Sequence, residues 1–133
     1  MFGNMFVNVH PGKGMSNSLI PPQGVVPVSA VTAACMLVRK DVFIESGMLD
    51  TGYVRGDFED SDFCLRMKKM SKGIMCDHRA ELYHIEGISC ASPLRSLLFR
   101  VNATRHMELW GTAIADILQE NGQAVASSAA TPR

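Results

Sequence analysis

From Val28 to Val38 the chain reads VSAVTAACMLV, eleven residues without a charge, closed by Arg39. The run is rich in apolar and β-branched residues and offers no polar face. Such a run predicts a strand over Val28 to Arg39, buried on both faces. A strand of that kind needs a neighbour on each edge and layers above and below. The chain has 133 residues, 47% apolar and 20% charged, enough for one domain with a core. The run is also far too short to span a bilayer. The N-terminal MFGNMFVNVHPGKG lacks the basic start and apolar run of a signal peptide. These features predict a cytoplasmic protein without a transmembrane segment.

Thirteen basic and thirteen acidic side chains balance to a formal net charge of zero. That balance argues against a basic face for nucleic acid and against a polybasic site for anionic lipid. The cysteines are Cys35, Cys64, Cys76 and Cys90, with no CxxC pair. Zinc-ribbon and redox motifs are therefore not indicated, and a reduced interior is the simpler setting.

Residues 1–27 carry Gly12, Gly14, Pro21, Pro22, Gly24 and Pro27 and read as an irregular loop. The GKG within it lacks the Lys-Ser/Thr pair of a phosphate loop. After the apolar run, Asp41 to Ser46 reads as a short helix stopped by Gly47. From about Phe58 to Lys72, Phe63, Met67 and Met70 recur at helical spacing, with Cys64 alongside. Ile74 to His84 reads as strand, broken near Asp77 to Ala80. Ser92-Pro93 starts a second helical block, with Leu94, Leu97, Leu98, Val101 and Leu109 as its apolar stripe. Gly111 is expected to interrupt it before a last helix, and residues 121–133 read as a disordered tail.

Asp57, Glu59, Asp60 and Asp62 crowd the head of the second helix. One reading is structural. A helix N-terminus carries unpaired N–H groups and partial positive charge. Asp57 fits the N-cap and Asp60 the capping-box position. Lys68, Lys69 and Lys72 suit the last turn, and Gly73 the stop. Capping does not use four acids, however. Those left over repel one another unless a cation, a basic side chain or a substrate hydroxyl engages them.

Three blocks, in order, carry a resemblance. They are VTAACMLVRKDVFIESGMLD, GYVRGDFEDSDFCLRMKKMSKG and AELYHIEGIS. From about Val31 to Ser89 the chain resembles the C-terminal half of the catalytic domain of family 2 glycosyltransferases, of the GT-A fold. The implied architecture is α/β, a partial GT-A-like mixed sheet with flanking helices. The implied reaction moves a sugar from a nucleotide-sugar donor to a hydroxyl acceptor, with inversion. Asp60 matches the catalytic base. Glu59 matches its acidic neighbour near the acceptor. Asp62 and Arg66 match recurrent positions of the substrate-binding block that organise the helix. His84 matches the histidine offered to a divalent metal, Mn²⁺ or Mg²⁺, on the donor diphosphate. The chemistry suits these types. A sugar hydroxyl is a poor nucleophile and needs a base, and a divalent ion neutralises charge on the leaving diphosphate. Cys76, His78 and His84 share strand parity, which leaves a zinc site as an alternative.

The strands and DxD motif that open a GT-A domain do not precede Val28. The DSD of Asp60 to Asp62 fits that three-letter pattern by accident. The expectation is thus one partial domain over 1–120: loop 1–27, motif-bearing core 28–90 and C-terminal helices 91–120. It should be inactive alone, with no tightly bound cofactor, and complete only with a donor-binding half. The alternative is a non-catalytic interaction or assembly module derived from a transferase. An apolar strand left at a sheet edge pairs with other chains, so a homodimer is expected.

Overall fold

The computed structural model describes residues 14–16, 19, 24–83 and 94–129, with side chains to residue 120. The chain is mixed α/β, with one small sheet and three α-helices. Its elements are β1 (Val25–Pro27), α1 (Lys40–Glu45), α2 (Glu59–Lys69), β2 (Met75–Asp77) and α3 (Arg95–Ala129). β1 and β2 pair antiparallel, with Val26 opposite Cys76. Among the described residues the sheet is this two-stranded antiparallel ribbon, not a mixed one.

The strand expected over Val28 to Arg39 does not form. Val28 N–H still bonds Ile74 O, extending the ribbon by one residue. Beyond it the backbone takes other partners. Val31 N–H points to Cys64 Sγ at 3.4 Å, and Ala33 N–H donates to Asp60 Oδ2 at 3.1 Å. Thr32 caps a single 3-10 turn over Ala33–Cys35. Among the described residues no further strand lies beside it, and a strand persists only where its N–H and C=O groups meet a neighbouring ladder. Ala30 still reaches the core, whereas Leu37 is fully exposed.

α1 closes as its sequence predicts. Gly47 takes φ +84°, and Met48 N–H reaches back to Phe43 O. This six-to-one closure is favoured by glycine at the left-handed position. α2 closes the same way but earlier than predicted. Ser71, at φ 55°, takes the left-handed position and Lys72 N–H bonds Met67 O, so Gly73 is not the stop. Phe43 of α1 packs on Phe63 of α2, ring centroids 5.5 Å apart.

α3 differs most from expectation. It runs 35 residues through Gly111 and on to Ala129, in the stretch expected as a tail. Ala124, Ala126 and Ala129 suit that continuation, and Gly111 and Gly122 each cost only about 1 kcal/mol relative to alanine, too little to stop the helix. Its buried face is Asn102, His106, Trp110 and Ile114, spaced by four residues. Most of the expected stripe faces outward instead: Leu94, Leu97, Val101 and Leu109 are each about half exposed, while Leu98 is partly buried. The core joins Leu65 of α2 to Trp110 and Ile114 of α3. Among the described residues no helix is long and apolar enough to cross a membrane.

Candidate functional site

The chain enters α2 through an unusual path. Arg55, Gly56, Asp57 and Phe58 have φ of 59°, 89°, 70° and 76°. Four successive residues are left-handed, and three of them are not glycine. Each such non-glycine residue costs roughly 1–3 kcal/mol and persists only where its surroundings impose it.

Several side chains of α3 meet this turn. Asn102 is completely buried. Its Oδ1 accepts from Val54 N–H at 2.9 Å, and its Nδ2 donates to Val54 O at 3.0 Å and Gly56 O at 2.6 Å. The Phe58 ring lies 5.1 Å from both Phe99 and His106. Tyr53 Oη and His106 Nδ1 stand 3.0 Å apart in the interior. Burial pushes the Tyr53 phenol up and the His106 imidazole down. His106 Nε2 is buried without a hydrogen-bond partner. Arg105 pairs with Asp50 at 2.6 Å and covers the Tyr53 ring; its hydrogen bond holds the Asp50 carboxyl below the usual range.

The acids then separate by role. Asp57 does not cap α2, whose N-cap, Phe58, makes no side-chain capping bond. Asp57 instead faces Arg95 at 3.8 Å. Asp60 does not close a capping box either. Its Oδ1 accepts from Ser61 N–H at 2.8 Å and its Oδ2 from Ala33 N–H. Capping fails because a left-handed residue before the helix points its side chain away from the first N–H groups.

Asp62 is buried and fully engaged. Trp110 Nε1 donates to its Oδ1 at 2.7 Å and Arg66 Nε to its Oδ2 at 2.8 Å. Arg66 also reaches Ser46 O and Met48 O, tying α2 to the end of α1. Asp62 and Arg66 thus brace the helix from inside. Glu59 is half-buried and its Oε2 lacks a hydrogen-bond partner. Burial, then the nearby Asp60 and Asp57, push its carboxyl up. Asp60 and Glu59 therefore sit together at the head of α2, apart from the Asp62–Arg66 brace. The DSD of Asp60 to Asp62 thus divides between the two.

His84 lies outside the described residues, as does Cys90. Among the described residues no group of three His, Cys, Asp or Glu side chains could hold a metal ion. Cys76 and His78 fall in and just after β2. The described side chains do not by themselves make a cation site. Sequence reading missed Asn102, His106 and Trp110. Their signal was a spacing of four residues, masked by the more conspicuous leucines.

The chain is similar to the uncharacterized protein y4gI of Sinorhizobium fredii (strain NBRC 101917 / NGR234), 36% identical over 61 residues. That stretch is 46% of this chain but 7% of the relative, so the chain spans a small part of that protein's length. No protein-family model matches the chain. No solved structure matches it.

Proposed function

We propose that this chain is the acceptor-side part of a GT-A-type glycosyltransferase of family 2, with Asp60 as base. The acceptor hydroxyl attacks the anomeric carbon of a nucleotide sugar. A new C–O bond forms, the bond to the diphosphate breaks, and Asp60 takes the hydroxyl proton. The observation that supports this most is the placement of Asp60. It is half-buried at the first turn of α2, its oxygens oriented by two backbone N–H groups, on a helix braced from within. Glu59 beside it can accept from a second sugar hydroxyl. A divalent ion would sit on the donor diphosphate with His84 as one ligand, and no step assigned to the described residues passes through it. The match to a small part of a much longer relative fits a segment that works within a larger enzyme.

The test is a titration of the full chain with mono- and oligosaccharide acceptors, followed by amide NMR. Saturable shifts confined to Ala33 and residues 55–62 are expected. The absence of any saturable shift across the panel would sink the reading. Nucleotide sugars, with or without Mn²⁺, should give no turnover with this chain alone; robust metal-dependent transfer would show that the donor half is not needed.

A second reading, assembly through an apolar surface, is favoured by one observation. Leu94, Leu97 and Val101 form an exposed stripe on the first turns of α3, opposite its buried face.

A further inference from the structure

We propose that Asn102 is the positioning residue of the acid pair: its buried amide holds residues 55–58 in their left-handed turn, and that turn fixes where Glu59 and Asp60 stand. The inference rests on the transferase reading only for its catalytic consequence.

The local sequence does not select this turn. Only Gly56 among the four tolerates positive φ at little cost. Left to itself, Asp57 would cap the helix and Asp60 would occupy the capping-box position. Something distant must override that preference. Asn102 has the means. Its amide grips the Val54 peptide at both N–H and C=O, then takes Gly56 O at 2.6 Å and, more weakly, Asp57 O at 3.4 Å. With no exposed surface, it has no water to exchange for these partners. These side-chain bonds go to Val54, Gly56 and Asp57, ahead of the helix, and not to the body of α2. The packing of α2 on α3 is carried further along, by Trp110, Leu65 and Ile114.

The turn in turn sets the acid. A Cβ built on Gly56 would lie 3.7 Å from Glu59 Oε1, so the Glu59 carboxylate sits directly over the turn. Opening residues 55–58 therefore uncovers Glu59 and re-aims the first residues of α2. Asparagine is required chemically. Aspartate keeps the acceptor for Val54 N–H but loses both donors, and alanine loses all four bonds.

The experiment compares the full-length wild-type chain with Asn102→Ala, Asn102→Asp and the control Ile114→Val by NMR. Backbone couplings and shifts report positive φ at Arg55, Asp57 and Phe58. Side-chain ¹³C shifts report the Glu59 titration. In the wild type, the Val54 amide should exchange at least a hundredfold more slowly than an exposed amide. Asn102→Ala should lose the left-handed signature at all three residues, and the Glu59 titration should move toward the ordinary glutamate range. Asn102→Asp should keep Val54 protected but lose the signature at Asp57 and Phe58. Ile114→Val should lower Tm and leave both readouts unchanged. A folded Asn102→Ala with turn and titration intact would overturn the inference, as would equal changes in Ile114→Val. Should either Asn102 variant fail to fold, the wild-type Val54 amide decides alone, and free exchange there overturns the inference. None of these readouts involves sugar, so failure to bind acceptor would sink the transferase reading and leave Asn102 in place.

Discussion

Trp110 and Asp62 meet inside the protein, indole N–H to carboxylate Oδ1, at 2.7 Å. Asp62 is 2% exposed, and Arg66 occupies its other oxygen. A buried carboxylate is tolerated only when its lone pairs are used. This one joins the acid-bearing helix to α3 on one side and, through Arg66, to the turn after α1 on the other. Lys69 lies 4.5 Å over the Trp110 ring and covers the joint from solvent.

Replacing the indole tests that joint. Trp110→Phe keeps an aromatic ring but leaves Asp62 Oδ1 buried and bare. It should destabilise the chain by about 1–3 kcal/mol, measured by urea denaturation. A double-mutant cycle with Asp62→Ala, which removes the acceptor, should return a coupling of about 0.5–3 kcal/mol. A coupling of zero would mean that the bond contributes nothing.

Glu59 gives a pH dependence of defined sign. Its carboxyl is raised in the folded state, chiefly by burial, so the native protein binds the proton more tightly than the unfolded chain. Stability at this site falls as pH rises from the ordinary glutamate value of about 4.3 through the raised native one. Glu59→Gln should thus raise Tm at pH 7 relative to wild type. The advantage should vanish below about pH 4, where glutamate is protonated in both states. Thermal melts across pH 4–8 check this, and an advantage that grows on acidification would contradict it.

The short elements were legible because local chemistry decides them. Gly47 after Ile44-Glu45-Ser46 and the Phe63–Met67 spacing placed α1 and α2 to within a few residues. Where a distant partner decides, local signals misled. Asp57 had every local reason to cap α2, yet the turn clamped by Asn102 turns it away. The leucines of α3 outweighed Asn102 and His106 in any hydrophobic pattern. Those two are buried because loop 53–57 supplies their hydrogen bonds, which no periodicity shows. The apolar run Val28 to Arg39 needs a sheet neighbour on its second edge, and sequence periodicity carries no information on whether one exists.

Gly111 was expected to break α3 and does not. Alanine suits a helix interior better than glycine by about 0.5–1 kcal/mol. Its Cβ would meet only the flexible end of Met107, at 3.2 Å. Gly111→Ala should therefore stabilise the chain by up to about 1 kcal/mol, read from the urea midpoint. A destabilisation would indicate that Met107 has nowhere to move.

Asp60→Asn separates chemistry from structure. Asparagine Oδ1 can still accept from Ala33 or Ser61 N–H but cannot take a proton. In a transferase completed by its donor-binding half, kcat should fall by about 10²-fold or more, with Tm nearly unchanged. His84→Ala in the same enzyme should weaken the response to Mn²⁺ with little change in Tm. An Asp60→Asn enzyme at near-normal rate would reduce Asp60 to an orienting contact for Ala33.

The last prediction concerns self-association. The dimer expected from an exposed edge at Val28 to Arg39 loses that basis, since no strand forms there. The exposed stripe of Leu94, Leu97 and Val101 offers another surface. Charge along α3 favours a second copy as its occupant. Arg95 and Arg105 pair within the chain with Asp57 and Asp50, which leaves Arg100 in the N-terminal part, and Glu108, Asp116 and Glu120 follow. That order runs against the helix dipole, which prefers acids near the N-terminus. In an antiparallel pair, however, Arg100 of each α3 would approach the acidic part of its mate, and the leucines would meet the small residues Thr112 and Ala115. A two-fold dimer through α3 is expected, with light scattering at micromolar concentration near twice the chain mass of 14.5 kDa. Leu97→Glu places a charge in the stripe and should return the mass to that of one chain without lowering Tm beyond the loss of the dimer. High salt should weaken the wild-type dimer by screening the arginine–acid pairing. A wild-type chain that stays monomeric at all concentrations would remove α3 as a self-association surface.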